Sequence, residues 1–449
     1  MRLPRFALVA LAVLGVPATA SAQDSGVQVS LNASVGVTDN ANSAPDSPDD
    51  PAQPAVAERE AGVTFDVSPG FAFNYATPRT SHALQYVFTF GLAPAQSSIA
   101  NALSYGGQFE TSPTTSLALG LTGTHGRTQQ VTGAQSAATT PVNVTPATPS
   151  YFFRVDATEG FTKALTPDFE IGQGVSAGGF FPLDDATRAP IYTVAGSLNG
   201  TTSWRDDSLG LTLSSTYIQF AALAGQPVQP DTPAIADTPL RHELLTTLAT
   251  TWRRDFTDRW STQLGIGITH GMDPSSGSGQ SWSPNGQAAV LYTREEWQAE
   301  LSNTIAAQPN ILLGEIVLAN TAALRLALPL YTGAHNTITT SASGGYQNSR
   351  PIDEDGNFGS VTNMFLADAA LIWAPTSLPI DYGMALRYQF TRQVPSASPE
   401  TAFSRHTVLL AITAAFDNRA RQTTPLITPP YRPREPESPK PREPEPTPE

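Results

Sequence analysis

The sequence predicts an all-β fold, a transmembrane antiparallel up-and-down β-barrel of about 16 to 18 strands with a disordered C-terminal tail. Three observations carry that prediction. Segments that alternate apolar and polar residues recur along most of the chain. Charged residues make up 14% of it, where soluble domains carry about 25%. Beyond the N-terminus, no stretch approaches the roughly 18 consecutive apolar residues that a membrane-spanning helix requires.

Three segments follow: 1–22, 23–416 and 417–449. In the first, Arg2 and Arg5 precede the apolar run Phe6 to Val16, and Ala20-Ser21-Ala22 supplies the small-x-small pattern of a signal-peptidase site before Gln23. Residues 1–22 are therefore expected to be a removable signal peptide, because an apolar run of about 11 residues is too short to span a bilayer as a helix. The absence of cysteine excludes a lipid anchor, disulfides and thiol chemistry. A net charge of −14 argues against a nucleic-acid partner, which needs a basic face.

The barrel segment begins with Val27, Val29, Leu31, Ala33, Val35 and Val37 on one parity and Gln28, Ser30, Asn32, Ser34, Gly36 and Thr38 on the other. The same period marks Val63 to Tyr75, Leu84 to Leu92, Leu103 to Phe109, Leu117 to Gly123, Tyr151 to Phe161, Phe169 to Phe181 and Tyr192 to Trp204. It continues in Leu209 to Tyr217, Leu244 to Trp252, Trp260 to Ile268, Gly286 to Tyr292, Trp297 to Ile305 and Ile316 to Leu326. Ile338 to Tyr346, Phe365 to Trp373, Ile380 to Phe390 and Val408 to Phe416 complete eighteen segments. One parity faces lipid and the other the lumen.

Connections alternate in length, as they do when a barrel joins strands by short periplasmic turns and longer outside loops. Ala76 to Ser81, Thr111 to Thr115, Lys163 to Asp168, Arg205 to Ser208 and Arg253 to Arg259 are short. Asp39 to Glu60, Gly126 to Pro149, Ala222 to Pro239, Gly271 to Pro284 and Gln347 to Gly359 are long and rich in Pro, Ser, Gly and Asp. Trp204, Trp252, Trp260, Trp297, Trp373 and Phe416 sit at strand ends beside the short turns, where interfacial rings form a periplasmic aromatic girdle. An even strand number returns both mature termini to the periplasm. A secreted soluble β-protein gives no reason for this placement and would need covered sheet edges. From Pro425 onward ten of 25 residues are proline, interleaved with Glu, Arg and Lys, which makes the tail an extended spacer or a docking segment.

Enzymatic readings are weak. Gly174-Val175-Ser176-Ala177-Gly178 matches the G-x-S-x-G nucleophile elbow, but that motif needs a strand turning sharply into a helix and these residues alternate as a strand. His82, His125, His242, His270, His335 and His406 are scattered without metal-ligand spacing, so no metal or cofactor is expected. His270 beside Ser275 to Ser283 leaves a phospholipase-like arrangement open. The carboxylates of Asp353-Glu354-Asp355-Gly356-Asn357 suit a solvated loop better than a calcium site.

Function is then expected in the lumen. Its predicted lining is chiefly uncharged, as in Gln28, Asn32, Gln85, Gln108, Asn199 and Gln298, with the charges Asp66, Arg154, Asp156, Glu300, Arg325, Asp381 and Arg387 of both signs. Hydroxyls and amides exchange hydrogen bonds with water or sugar hydroxyls without trapping an ion.

At the end of the first segment, Gly36-Val37-Thr38-Asp39-Asn40-Ala41-Asn42-Ser43-Ala44-Pro45 resembles the T-D-N element of outer-membrane barrels associated with exopolysaccharide systems. With the strand count and the leader, the chain resembles the eighteen-stranded myxobacterial barrels that accompany polysaccharide-export proteins lacking their own outer-membrane segment. That resemblance implies an outer-membrane exit for a secreted polysaccharide, a periplasmic polysaccharide-export protein as partner, and a surround of outer-membrane lipids and lipopolysaccharide. The Pro-Glu-Arg tail departs from barrels that end on a terminal aromatic residue, a role that falls here to Phe416. A general or solute-selective porin and a structural or adhesive barrel with a plugged lumen are the alternatives.

Overall fold

The structure is a computed structural model that describes residues 24–40, 46, 60–93, 96–127, 151–183, 189–222, 240–274, 280–294, 297–310, 315–352, 357–375, 380–397 and 402–417. The expected signal peptide, the proline-rich tail beyond Asp417 and most of the long links lie outside these residues. The described residues form eighteen strands, β1 (Asp24–Thr38), β2 (Gly62–Ala76), β3 (Thr80–Ala93), β4 (Gln96–Ser112), β5 (Thr115–Arg127) and β6 (Tyr151–Thr166). Next come β7 (Phe169–Pro182), β8 (Ile191–Trp204), β9 (Asp207–Phe220), β10 (Arg241–Thr257), β11 (Trp260–Met272) and β12 (Ser281–Arg294). The last six are β13 (Trp297–Asn310), β14 (Glu315–Thr332), β15 (Asn336–Ile352), β16 (Thr362–Pro375), β17 (Asp381–Pro395) and β18 (Phe403–Asp417).

Each strand pairs antiparallel with its sequence neighbours, and β1 pairs with both β2 and β18, which closes the sheet into a barrel. Closure gives every strand a neighbour on both sides, the condition for a sheet to sit in lipid. Asp24 lies opposite Ala76 and Asp417 opposite Gln28, so both ends of the barrel segment reach the short-turn rim. The turns there are set locally. Thr77 Oγ1 accepts from the backbone N–H of Arg79 and Thr80, and Thr257 Oγ1 accepts from those of Arg259 and Trp260. Arg205 takes a left-handed φ of 53° in the two-residue turn between β8 and β9, matching the twist of a tight hairpin.

Because directly opposed residues share a face, the register extends the alternation of β1 around the whole wall. Val29, Leu31 and Val35 face the same side as Phe65, Leu92, Ile99, Leu119, Leu198, Leu211, Ile266, Leu301, Leu324, Leu371, Leu386 and Leu410, all exposed. Ile266 is 77% exposed. An apolar face this continuous, on a closed antiparallel sheet, is the lipid-facing surface of an outer-membrane-type barrel. Buried residues such as Thr269, Ser283, Gln393, Ile218 and Phe403 lie on the opposite parity, which is therefore the interior.

Candidate functional site: the lumen

The register puts Gln28 and Asn32 on the interior parity of β1, Asp66 on that of β2, Gln85 on β3 and Gln108 on β4. Arg154 and Asp156 of β6, Asn199 of β8, Gln298 and Glu300 of β13, Arg325 of β14, and Asp381 and Arg387 of β17 share it. These residues do not converge on one point. They line the wall at different strands and heights.

What the geometry adds is pairing. Arg154 Nε donates to Asp156 Oδ2 at 2.7 Å and its Nη2 to Oδ1 at 3.1 Å, a bidentate bond between same-face neighbours two residues apart. Arg325 reaches Glu300, directly opposite, at 3.5 Å. Arg387 Nε donates to Asp368 Oδ2 at 2.5 Å, and Gln389 Nε2 donates to the same oxygen at 3.1 Å. Two further interior pairs were not singled out from the sequence, Arg241–Glu243 at 2.9 Å near the long-link rim and Arg253–Asp255 at 3.3 Å near the short-turn rim. Their i, i+2 spacing on a strand is the signal that would have found them. Asp66 is hydrogen-bonded by Ser34 across β1 and β2. Charge is thus cancelled within each arginine–carboxylate pair, whereas Asp66 is met by a hydroxyl and not by a cation.

The lumen is not polar throughout. Toward the long-link end, Phe152, Phe180, Ile191, Ile218, Phe220 and Leu245, on the interior parity of β6 to β10, pack into one buried cluster. Phe152 and Phe180 stack with centroids 5.3 Å apart, and the Arg241 guanidinium lies 4.4 Å from the Phe220 ring centroid. Ile316 and Ile352, from β14 and β15, belong to the same cluster. A neutral polar wall therefore ends in an apolar mouth.

Outside, Trp204, Trp252, Trp260, Trp297, Trp373 and Phe416 share the lipid-facing parity near the short-turn rim. Trp252 Nε1 donates to Asp207 Oδ1 at 3.0 Å, and Trp260 packs on Tyr292 at 4.7 Å. The opposite rim has its own belt, which the tryptophans alone did not reveal. His125 stacks on Tyr151, His242 on Tyr217, His270 packs on Trp282 and His406 on Phe390. Tyr217 Oη and His242 Nδ1 are 2.6 Å apart, and Tyr346 and Tyr86 donate to Asn363 and Asn101.

These placements give His125, His242, His270 and His406 aromatic partners, and among the described residues no group of three potential metal ligands occurs. His270 lies on the outer parity opposite Trp282, whereas Ser281 and Ser283 lie on the inner, so the sheet separates that imidazole from those serines. Gly174 to Gly178 run inside β7 with Ser176 opposite Thr158 and Ala195. At Gly178 a Cβ would come within 2.5 Å of Asp156 Oδ1, so this glycine makes room for the Arg154–Asp156 pair. Residues 353–356 of the acidic link lie outside the described residues.

Thr38-Asp39-Asn40 performs a structural task. Past the end of β1, the Asp39 N–H donates to the His406 carbonyl and the His406 N–H to Asp39 Oδ1 at 2.7 Å. Asn40, fully buried, donates from Nδ2 to the Ser404 carbonyl at 2.9 Å. Asp46 Oδ1 accepts from Ser404 N–H and Oγ at 2.9 and 2.8 Å. Side chains thus take over the hydrogen bonds that β1 would have made, and they clasp the closing seam to β18.

No protein-family model matches the sequence, and no curated protein matches it. Among solved structures, the chain is similar to the outer membrane protein OpdK of Pseudomonas aeruginosa (TM-score 0.44, 9% identity, covering 88% of this chain and 100% of that one). It is also similar to the ferric-catecholate import receptor Fiu of E. coli K12 (TM-score 0.43, 11% identity, 88% and 82% covered). The FrpB iron transporter of Neisseria meningitidis gives a TM-score of 0.46 at 8% identity, with 87% and 81% covered. No cargo follows from likenesses this distant.

Proposed function

We propose that the protein is an outer-membrane channel for uncharged, hydroxyl-rich cargo, with the short-turn rim in the periplasm and a secreted polysaccharide as the molecule it conducts. The observation that carries this reading is the neutralised lumen. Arg154, Arg325 and Arg387 each spend their charge on a carboxylate of the same wall, and amides and hydroxyls line the surface between them. Such a wall exchanges hydrogen bonds with passing hydroxyls, and its paired charges favour neither ion sign. A periplasmic polysaccharide-export protein would deliver the polymer to the short-turn rim, and lipopolysaccharide would surround the opposite belt.

Deletion of the gene tests the cargo. Loss of surface polysaccharide with unchanged uptake of small sugars is the expected result, and surface polysaccharide at the normal level refutes it. In planar bilayers the purified barrel is expected to pass small cations and anions almost equally. Asp368→Asn, which leaves Arg387 without its carboxylate, shifts permeability toward anions by about twofold. A diffusion porin for small neutral solutes is the second reading, favoured by the apolar mouth, whose side chains offer a polymer's hydroxyls no hydrogen-bond partners. In that case deletion slows solute uptake and leaves the polymer in place. A structural or adhesive barrel with a plugged lumen predicts no conductance at all.

A further inference from the structure

The wall is not continuous at the long-link end. β12 and β13 pair from Arg294 and Trp297 up to Gly286 and Ile305 and no further, while β12 stays with β11 as far as Ser281. β13 continues with β14 alone to Asn310 and Glu315. On the other flank, β16 leaves β15 after Ser349 and Thr362, but the link before β16 stays beside β15 through the Ile352–Phe358 bridge and the bond from the Gly359 N–H to the Pro351 carbonyl, while β15 follows β14 to the Ile316–Ile352 pair. Residues 306–310, 315–319 and 350–352 therefore make a three-stranded tongue joined to the barrel at its base.

The burial of this tongue differs from that of any wall strand. Val317, Ala319 and Ser349 are buried on the interior parity, and Ile316 and Ile352, on the parity that elsewhere meets lipid, are only 1% and 8% exposed. A strand in the wall shows its outer face, as Ile266 does. A tongue whose outer-parity isoleucines are buried, with Arg350 beside them left exposed, has turned those side chains away from lipid. Its outer-parity residues Ile316 and Ile352, with Leu318 and Ala307 against them, belong to one packed cluster with residues that project from the inner wall of β6 to β10, among them Ile218, Phe220 and Leu245. Three strands, β11 to β13, separate these partners along the sheet, so the contact crosses the mouth.

We propose that the β13–β14–β15 tongue is the gate of the channel, hinged where β13 parts from β12 and closed when Ile316 and Ile352 seat on the apolar shelf of β6 to β10. Closure buries aliphatic side chains that would face water in the open mouth, so the seated state is the resting one. Opening exposes the shelf and joins the polar lumen to the outside. The proposal rests on the channel reading above and supplies its regulation.

The absence of cysteine makes the test clean. Ile316→Cys is combined in turn with Ile218→Cys, Phe220→Cys and Leu245→Cys, and disulfide formation in the folded barrel is followed by gel mobility. Conductance is then measured in planar bilayers before and after reduction. One pair or more is expected to cross-link, with openings abolished when oxidised and restored by reductant. The double variant Ile316→Ser and Ile352→Ser loosens the seat without removing a strand and raises the open fraction by about two orders of magnitude. If no pair cross-links, or if the cross-linked barrel conducts as the reduced one does, the gate is refuted. If a pair cross-links and no species conducts, including the serine variant, the seat stands and the channel reading falls instead.

Discussion

The two rims of the barrel are built by different means. At the short-turn rim order is local: Thr77 and Thr257 hold their own turns, and Trp252 reaches no further than Asp207 on the adjacent hairpin. At the long-link rim order comes from distant segments: Asn40 is bonded to Ser404, 364 residues away in sequence, and Ile316 packs in one cluster with Phe152. Short turns need only the right residues at the right offsets. Long links leave a rim that must be sealed by tertiary contacts, and such contacts are where motion can be built in.

Two phenylalanines put the contrast in its sharpest form, because each lies beneath an arginine. Arg241 is 4.4 Å from the Phe220 centroid inside the long-link mouth, and Arg254 is 5.4 Å from Phe256 on the outside of the short-turn rim. Phe220 is buried and Phe256 is more than half exposed. Phe220→Ala is expected to cost about 3–5 kcal/mol, from lost burial and the cavity left behind. Phe256→Ala is expected to cost less than about 1 kcal/mol. Urea unfolding in detergent micelles measures both, and equal losses would abolish the distinction between a sealed rim and an open one.

The clasp comes next in size. Asn40→Ala leaves the Ser404 carbonyl unsatisfied beside a buried site and removes the amide that continues β1 along β18. A loss of about 1–3 kcal/mol follows from a buried acceptor without its donor. Asn40→Asp, which keeps the size but removes the donor, is expected to be no better. At the short-turn rim the matching change is Trp252→Phe, which keeps a ring at the interface and deletes the bond to Asp207. About 0.5–1.5 kcal/mol is expected there, and a larger loss than at Asn40 would mean that the local rim carries more of the stability.

The same contrast explains what the sequence disclosed. All eighteen strands were legible because Val29, Leu31 and their counterparts keep strict period two, which needs no knowledge of partners. The short turns and the tryptophans beside them were legible for the same reason. The tongue was not: Ile316 has the parity of a lipid-facing residue, and only the point where β13 parts from β12 shows that this face turns inward. Nor was the outer belt, because His242 and Tyr217 are 25 residues apart and only the register brings them together. Thr38-Asp39-Asn40 stood out as a motif, yet its contacts with His406 and Ser404 are structural ones that no local pattern announces. In the lumen the types of side chain were legible, but their cancellation in pairs depended on which charges the strands bring opposite each other, as with Glu300 and Arg325.

The smallest expected effect lies on the outer belt. Tyr388 Oη and His406 Nδ1 are 2.8 Å apart on the lipid-facing side of the long-link rim, with Phe390 against the same imidazole at 4.9 Å. Tyr388→Phe removes the hydroxyl and keeps the ring contact. Both groups are exposed, so an interfacial water or lipid oxygen replaces the lost partner, and the change in unfolding free energy is expected to stay within about 0.5 kcal/mol. If the belt only adapts the barrel to the interface, this variant folds, inserts and conducts as the parent does. A loss as large as that of Asn40→Ala would instead make the Tyr388–His406 pair part of the seam, because β17 and β18 meet there two residues from the Ser404 carbonyl that the clasp holds.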